Sequence, residues 1–240
     1  MKIEICANSY ASAINAEKAG ADRIELCVEL AVGGITPSYG LLKRVMNDLT
    51  IPVNVLIRPR SGDFTYDATE FDVMKSDIEL CKKLGCSGIV SGVLNTDFTI
   101  DVERTKELIA LTKPLSFTFH RAFDWTPDPF TALAKLIDMN VDMVLTSGQE
   151  TNVEKGMSLL EQLRKIAGDR LVILPGGGVT NASIVEFKNN NFKAVHFSAT
   201  EIYTTIETPK ILMNSTRFFD ETKVAISDVA KIENMIDLVN

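Results

Sequence analysis

Histidine is nearly missing from this chain: its 240 residues hold two, His120 and His196. Cysteine is sparse as well, with Cys6, Cys27, Cys81 and Cys86. Their spacing matches no zinc finger, and the chain carries no Walker loop and no dinucleotide fingerprint. No apolar run approaches the ~18 residues of a membrane span. The opening Met1-Lys2-Ile3-Glu4-Ile5-Cys6 lacks the apolar core of a secretory leader and carries an early acid. Basic charge is in deficit, with 25 Lys and Arg against 32 Asp and Glu, a net charge of −7. That balance argues against non-specific binding to nucleic acid or to an anionic membrane surface. Low-complexity segments, charge blocks and linker-like stretches are also absent. The expectation is a cytoplasmic protein whose four cysteines are reduced thiols.

What is present is ordinary in bulk, 45% hydrophobic and 24% charged, as in globular proteins. The length suits one large domain that buries roughly 70–75% of its unfolded surface. The order lies in a repeat. Gly20-Ala21-Asp22-Arg23-Ile24-Glu25-Leu26, Gly85-Cys86-Ser87-Gly88-Ile89-Val90-Ser91, Asn140-Val141-Asp142-Met143-Val144-Leu145-Thr146 and Asn191-Phe192-Lys193-Ala194-Val195-His196-Phe197 align without gaps. Each opens on Gly or Asn, which tolerate the left-handed turn that ends a helix, and runs into a β-prone stretch. Helical patterns precede them at 9–19, 70–84, 128–139 and 182–189. Further strands at 2–5, 52–57, 115–119 and 171–174 alternate with helices at 38–47, 101–112 and about 152–167. Eight strands alternating with helices predict a (β/α)₈ barrel. A doubly wound open sheet is the alternative. The tail after Thr200 reads as a loop and then a helix from about Glu221 to Leu238.

Helices cover the outside of such a barrel, so the outward strand positions are the apolar ones and alternation sends their neighbours inward. The inward set is then Glu4 and Cys6; Arg23, Glu25 and Cys27; Asn54, Leu56 and Arg58; Thr118 and His120; His196 and Ser198. Gly92 and Ser147 fall at the height of Cys27 and Ser198. Charges are costly core filler unless paired, so the cluster points to a site, with an internal ion-pair network as the bland alternative. The loops after the strands build the sites of barrels. Here they carry Gly33 to Ser38, with Ser38 able to cap a helix; Arg58-Pro59-Arg60, a stiff cationic pair suited to carboxylate or phosphate; His120-Arg121-Ala122-Phe123-Asp124; Thr146-Ser147-Gly148; Gly176-Gly177-Gly178; and Ser198-Ala199-Thr200. A glycine loop after strand seven is the usual barrel phosphate site.

Cys6 and Cys27 end adjacent strands, which lie about 4.8 Å apart. Two thiolates at that separation suit a soft ion such as Cu(I); two small buried fillers are the alternative. Cys81 and Cys86 read as packing residues.

These stretches together resemble the CutC family, named for copper homeostasis. The matching segments are Glu4-Ile5-Cys6, Gly20 to Cys27, Gly33 to Ser38, Ile57 to Phe64, Thr118 to Asp124, Leu145 to Gly148, Pro175 to Gly178 and His196-Phe197-Ser198. The resemblance implies one barrel domain over 1–240, with the barrel at about 1–200 and a loop and helix at about 201–240. It further implies a cytoplasmic homodimer or higher homo-oligomer, and Cu(I) handled by Cys6 and Cys27. A second reading of the residues is a barrel enzyme or binding protein for a small anionic carboxylate or phosphate, with lyase or isomerase-type chemistry. Glu4, Glu25, His120 and Asp124 would then move protons. Arg58, Arg60, Arg121, Ser147, Gly176, Gly177, Gly178, His196 and Ser198 would hold the ligand.

Overall fold

The computed structural model describes residues 1–207, 209–213 and 220–239. Eight parallel strands run in the order β7-β6-β5-β4-β3-β2-β1-β8. They are β1 (Lys2–Ala7), β2 (Arg23–Leu26), β3 (Val53–Leu56), β4 (Gly88–Ser91), β5 (Ser116–Phe119), β6 (Met143–Thr146), β7 (Val172–Pro175) and β8 (Ala194–Phe197). A bridge from Gly176 to His196 joins the β7 and β8 ends, so the sheet curls into a (β/α)₈ barrel. Seven helices separate the strands: α1 (Tyr10–Lys18), α2 (Tyr39–Asp48), α3 (Ala68–Leu84), α4 (Val102–Thr112), α5 (Pro129–Asp138), α6 (Val153–Ala167) and α7 (Asn181–Asn189). Each starts on a side chain that accepts a backbone N–H of its first turn: Ser9, Ser38, Asp67, Asp101, Asp128, Asn152 and Thr180. Such caps are each worth about 1 kcal/mol. No helix among the described residues is long and apolar enough to cross a membrane.

The aligned junctions open the even strands. Gly20, Gly85, Asn140 and Asn191 all take positive φ, between 57° and 82°, where a Cβ-bearing residue other than Asn is strained. The third residue of the repeat explains the pairing that follows. Asp22 accepts the Ile3 N–H, Ser87 the Val53 N–H and Asp142 the Phe117 N–H. Each even strand thereby ties itself to the odd strand before it. In the fourth copy the Lys193 carbonyl accepts from Lys2 N–H instead.

Alternation places the outward residues in one large apolar layer beneath the helices. Ile3, Ile5, Ile24, Leu26, Val53, Val55, Phe117, Phe119, Val144, Ile173 and Val195 all belong to it. Burial of each such side chain contributes roughly 1.5–3 kcal/mol. The barrel interior is a separate volume with two small apolar groups: Cys6, Cys27, Leu56 and Val90 on one side, Leu145, Leu174 and Ala194 on the other. The rest of it is polar.

The tail differs from the loop and long helix expected of it. It contains an antiparallel hairpin, β9 (Thr200–Thr204) and β10 (Lys223–Ser227), and only then α8 (Val229–Asp237). Polar side chains of α1 and its approach decide this. Asn8 and Asn15 donate to the carbonyls of Ala225 and Ser227, and Ser12 Oγ accepts from Ser227 N–H. Those partners are more than 200 residues away in the chain, beyond any local pattern.

Candidate functional site

At the middle of the barrel Glu4 is wholly enclosed and gathers three donors. His196 Nδ1 lies 2.8 Å from Oε1, while Arg23 Nε and Asn54 Nδ2 (3.0 Å) donate to Oε2. Arg23 then spans the barrel to the Met143 sulfur at 3.1 Å. Burial opposes the charge on Glu4, but the His196 hydrogen bond and the Arg23 guanidinium outweigh it and hold the carboxyl at about 2. Burial likewise opposes a charged His196. The field of Glu25 and the hydrogen bonds to Cys6 and Glu4 overcome it and hold the imidazolium well above the ordinary histidine range.

One layer higher, Cys6 pairs in register with Glu25. Cys27 is therefore not level with Cys6, as an equivalent-position reading of the two strand ends expects, but two residues further on, just past the end of β2. The diagonal still brings Sγ to Sγ at 3.6 Å. Cys6 Sγ also lies 3.9 Å from Glu25 Oε1. A ligand atom from each of Cys6, Glu25 and His196 falls within 4.8 Å of the others, and all three residues are buried. The hydrogen bond to Cys27, burial and the neighbouring thiol and carboxylate push the Cys6 thiol well above its ordinary range. Burial, with the charge of Glu4, raises Glu25 to about 7 against the opposing pull of His196 and Arg23. All four cysteines are free thiols; Cys81 and Cys86 lie in the outer apolar layer.

Above the thiols the mouth opens into a cavity of about 530 Å³, walled by Cys6, Glu25, Leu56, Arg58, Phe64, His120, Arg121, Trp125, Leu145 and His196, with parts of the loops after β2 and β3. His120 is 4% exposed. Its Nδ1 accepts the Ala122 N–H at 3.2 Å, which puts the proton of the neutral ring on Nε2. Burial, with the Arg58 cation nearby, drives His120 down to about 3, so the ring is neutral at physiological pH. Its place depends on Gly92, where a Cβ would come within 2.7 Å of Nδ1.

The expected cationic pair does not assemble. Arg58 reaches inward but spends both terminal nitrogens on loop carbonyls, Nη1 on Val32 and Gly34 and Nη2 on Gly62. Arg60 turns the other way, to Glu70, Asp63 and the Thr65 carbonyl at the start of α3, and lies outside the cavity wall. Asp124 is also drawn off. It accepts from Thr146 Oγ1, from the Ser147 and Gln149 N–H groups, from Ser147 Oγ and from Arg121 Nε. Its role in the geometry is to fasten the loop after β5 to the loop after β6. Ser147 is part of that fastening and donates on to the Glu150 carbonyl or to Asp124. Ser198 reaches Thr200 Oγ1, at 3.4 Å.

The three glycines after β7 serve neighbouring side chains. A Cβ on Gly176 would approach Leu145 within 2.5 Å and His196 within 3.1 Å, and one on Gly177 would meet the Arg121 guanidinium at 3.2 Å. Gly178 has φ of +70° and sits against Asn152. The α7 start beyond them is closed by the Thr180–Ser183 capping box, with Glu154 hydrogen-bonded to Thr180.

Site residues that the sequence did not single out are Phe64, Trp125 and Leu145 on the cavity wall; Arg23 and Asn54, expected only to face inward, are the partners of Glu4 beneath it. Phe64 packs on His120 at 4.9 Å and edge-on to Trp125 at 4.9 Å. The available signal was aromatic residues inside otherwise polar loops after strands three and five.

The model of the CutC family matches residues 1–201. A human protein named copper homeostasis protein cutC homolog is 40% identical over 237 residues, which is 97% of this chain and 87% of that one. A CutC family protein of Parabacteroides distasonis is 44% identical over 240 residues, covering 98% of both chains. Among solved structures, that of a CutC protein of Streptococcus agalactiae superposes with a TM-score of 0.77 at 32% identity, over 82% of this chain and 98% of that one. With barrel, register and near full-length likeness in agreement, the chain belongs to the CutC family.

Proposed function

We propose that this protein acts in copper homeostasis by binding Cu(I) at the base of its barrel mouth, with Cys6 and Cys27 as the thiolate ligands. The observation that carries this reading is the pair of sulfurs, 3.6 Å apart in a buried pocket with no disulfide between them. At a metal–sulfur length of about 2.3 Å, that separation subtends about 100° at a shared ion, which is bent and leaves room for a third donor. His196 is the best-placed candidate. With Nδ1 held by Glu4, its other ring nitrogen is the one that can bind once the imidazolium gives up the proton its surroundings hold, the carboxylate–histidine–metal arrangement that orients metal-ligating imidazoles. Soft thiolates select Cu(I) over harder ions. The reading carries a reducing, cytoplasmic location, where the thiols stay unpaired. It also retains self-association, for which the apolar side chains exposed on and beside the tail hairpin, among them Ile202, Ile206 and Val224, are a fitting surface.

The test is an anaerobic Cu(I) titration in competition with a colorimetric chelator, on the parent, Cys6→Ser and Cys27→Ser. One ion per chain, weakened at least a hundredfold in both variants, is the expected result. Binding that is unchanged by both substitutions would remove this site.

A further inference from the structure

We infer that the cavity above the thiols is a separate binding site for a small organic carboxylate, held by His120 and Arg58 against the Phe64–Trp125 wall. A copper ion needs only the floor of this space. The remaining volume, of about 530 Å³ in all, is the size of a small-molecule pocket.

Three observations point to the ligand's chemistry. The first is hydrogen bonding. Buried polar atoms in folded proteins almost always have partners. Among the described residues eight buried side-chain atoms have none, and three of them, Glu25 Oε2, Arg58 Nε and His120 Nε2, belong to residues that wall this one cavity. All three residues are at least nine-tenths buried. Two of the three atoms are donors: Arg58 Nε by its nature, and His120 Nε2 because Nδ1 already accepts from Ala122 N–H. The matching group on a ligand is an acceptor. The second is charge. Arg58 is an enclosed guanidinium whose terminal nitrogens are bonded to carbonyls and not to a carboxylate; Arg121 at the rim, seated over Gly177, is already paired with Asp124, and Glu25, the acid of the wall, is drawn towards its neutral form by burial. A negatively charged acceptor is therefore favoured over a neutral carbonyl. The third is the apolar wall. Leu56, Phe64, Trp125 and Leu145 offer a surface for carbon, which inorganic phosphate does not have. Trp125 is 48% exposed, a large apolar face left open at the entrance. Its ring is steadied edge-on by Phe64 and Phe98. The loop geometry fits a built site: Arg58 Nη1 and Nη2 fasten the loops after β2 and β3 to each other, so the mouth is held in shape without a ligand.

Trp125 is the only tryptophan of the chain, which makes its emission a direct report on the cavity. Metal-free protein, kept reduced and chelated so that copper plays no part, would be titrated with phenylacetate and lactate. Phenylacetamide and lactamide serve as uncharged counterparts, and inorganic phosphate as an oxyanion without carbon. The expected result is a saturable emission change with at least one carboxylate, at least tenfold tighter than with its amide. His120→Phe keeps the ring against Phe64 but removes the donor, and is expected to weaken binding about tenfold or more. His120→Gln restores an N–H at similar reach and should recover most of it, whereas folded His120→Glu, which keeps an acceptor for the Ala122 N–H but offers the ligand no donor, should not. Circular dichroism of all three variants checks the fold. If neither carboxylate outcompetes its amide, if phosphate binds in their place, or if folded His120→Phe binds as the parent does, the inference is wrong.

Discussion

Replacing Glu4 by Gln should be the most damaging single change that conserves shape in this protein. The side chain is 1% exposed and holds Arg23 and His196 around it. Gln keeps the volume and one acceptor but removes the charge, and two enclosed cations lose their shared counter-ion. Breaking a buried pair in this way costs about 3–5 kcal/mol. The titration of Glu4 gives an independent figure. Its carboxyl falls from an ordinary 4.5 to about 2, which is worth about 3 kcal/mol at neutral pH. The two agree. The sign follows from the lowered value. A depressed carboxyl stabilises the folded state fully above pH 4.5, and that contribution fades as pH drops from 4.5 through about 2. The assay is unfolding of metal-free parent and Glu4→Gln, followed by circular dichroism between pH 7 and pH 3. A loss of roughly 10 °C in Tm is expected at pH 7 for a chain of this size, with the gap between the two proteins narrowing below pH 4.5. A loss under about 1 kcal/mol at pH 7, or a gap that does not move with pH, would refute the idea that this ion cluster holds the barrel centre together.

Other expectations concern the helix–loop packing and the two ends of the site. Gly156→Ala should destabilise by about 3 kcal/mol or more, because its Cβ would fall 1.9 Å from the Ser147 carbonyl oxygen, backbone that has no rotamer to yield; equilibrium unfolding measures it, and a change under 1 kcal/mol would contradict the packing of α6 on the loop after β6. His120 is held neutral in the folded state at about 3 against an ordinary 6.5, so folding stability falls as pH drops from 6.5 towards 3. Between pH 6.5 and 4.5 the parent should lose about 2 kcal/mol more than His120→Gln, which does not titrate; parallel pH profiles would count against it. The raised Cys6 thiol must release its proton when it takes a metal. Apparent Cu(I) affinity should therefore rise about tenfold per pH unit for each thiol proton released, and a pH-independent affinity would exclude Cys6 as a ligand.

Much of this molecule is written locally. Strict alternation along strands such as Lys2–Ala7 separates Glu4 and Cys6 from Ile3 and Ile5, because the side-chain period of a strand is two. Capping residues and the left-handed Gly20, Gly85, Asn140 and Asn191 mark where helices start and stop, since those conformations restrict residue type within a turn. The inward cluster of Glu4, Glu25, Arg58, His120 and His196 was therefore legible, and so was the place of Cys6 and Cys27 at the ends of neighbouring strands. The partner each group chooses was not. Arg58 and Arg60 are two residues apart and chemically alike, yet one is bonded to carbonyls on the cavity wall and the other to Glu70 on α3. Asp124 sits beside the site in sequence and is consumed by Thr146 and Ser147. The tail from about Glu221 read as helix where α1 and its approach offered Asn8, Ser12 and Asn15 to a strand. Long flexible side chains and polar backbone edges have several nearly equivalent local conformations, and contacts from distant parts of the chain select among them. Periodicity and turn chemistry alone specify the barrel and its inward residues. Contacts that form on folding set the rest: that the two thiols meet on a diagonal, which charges gather at Glu4, and which donors stay unpaired around the cavity.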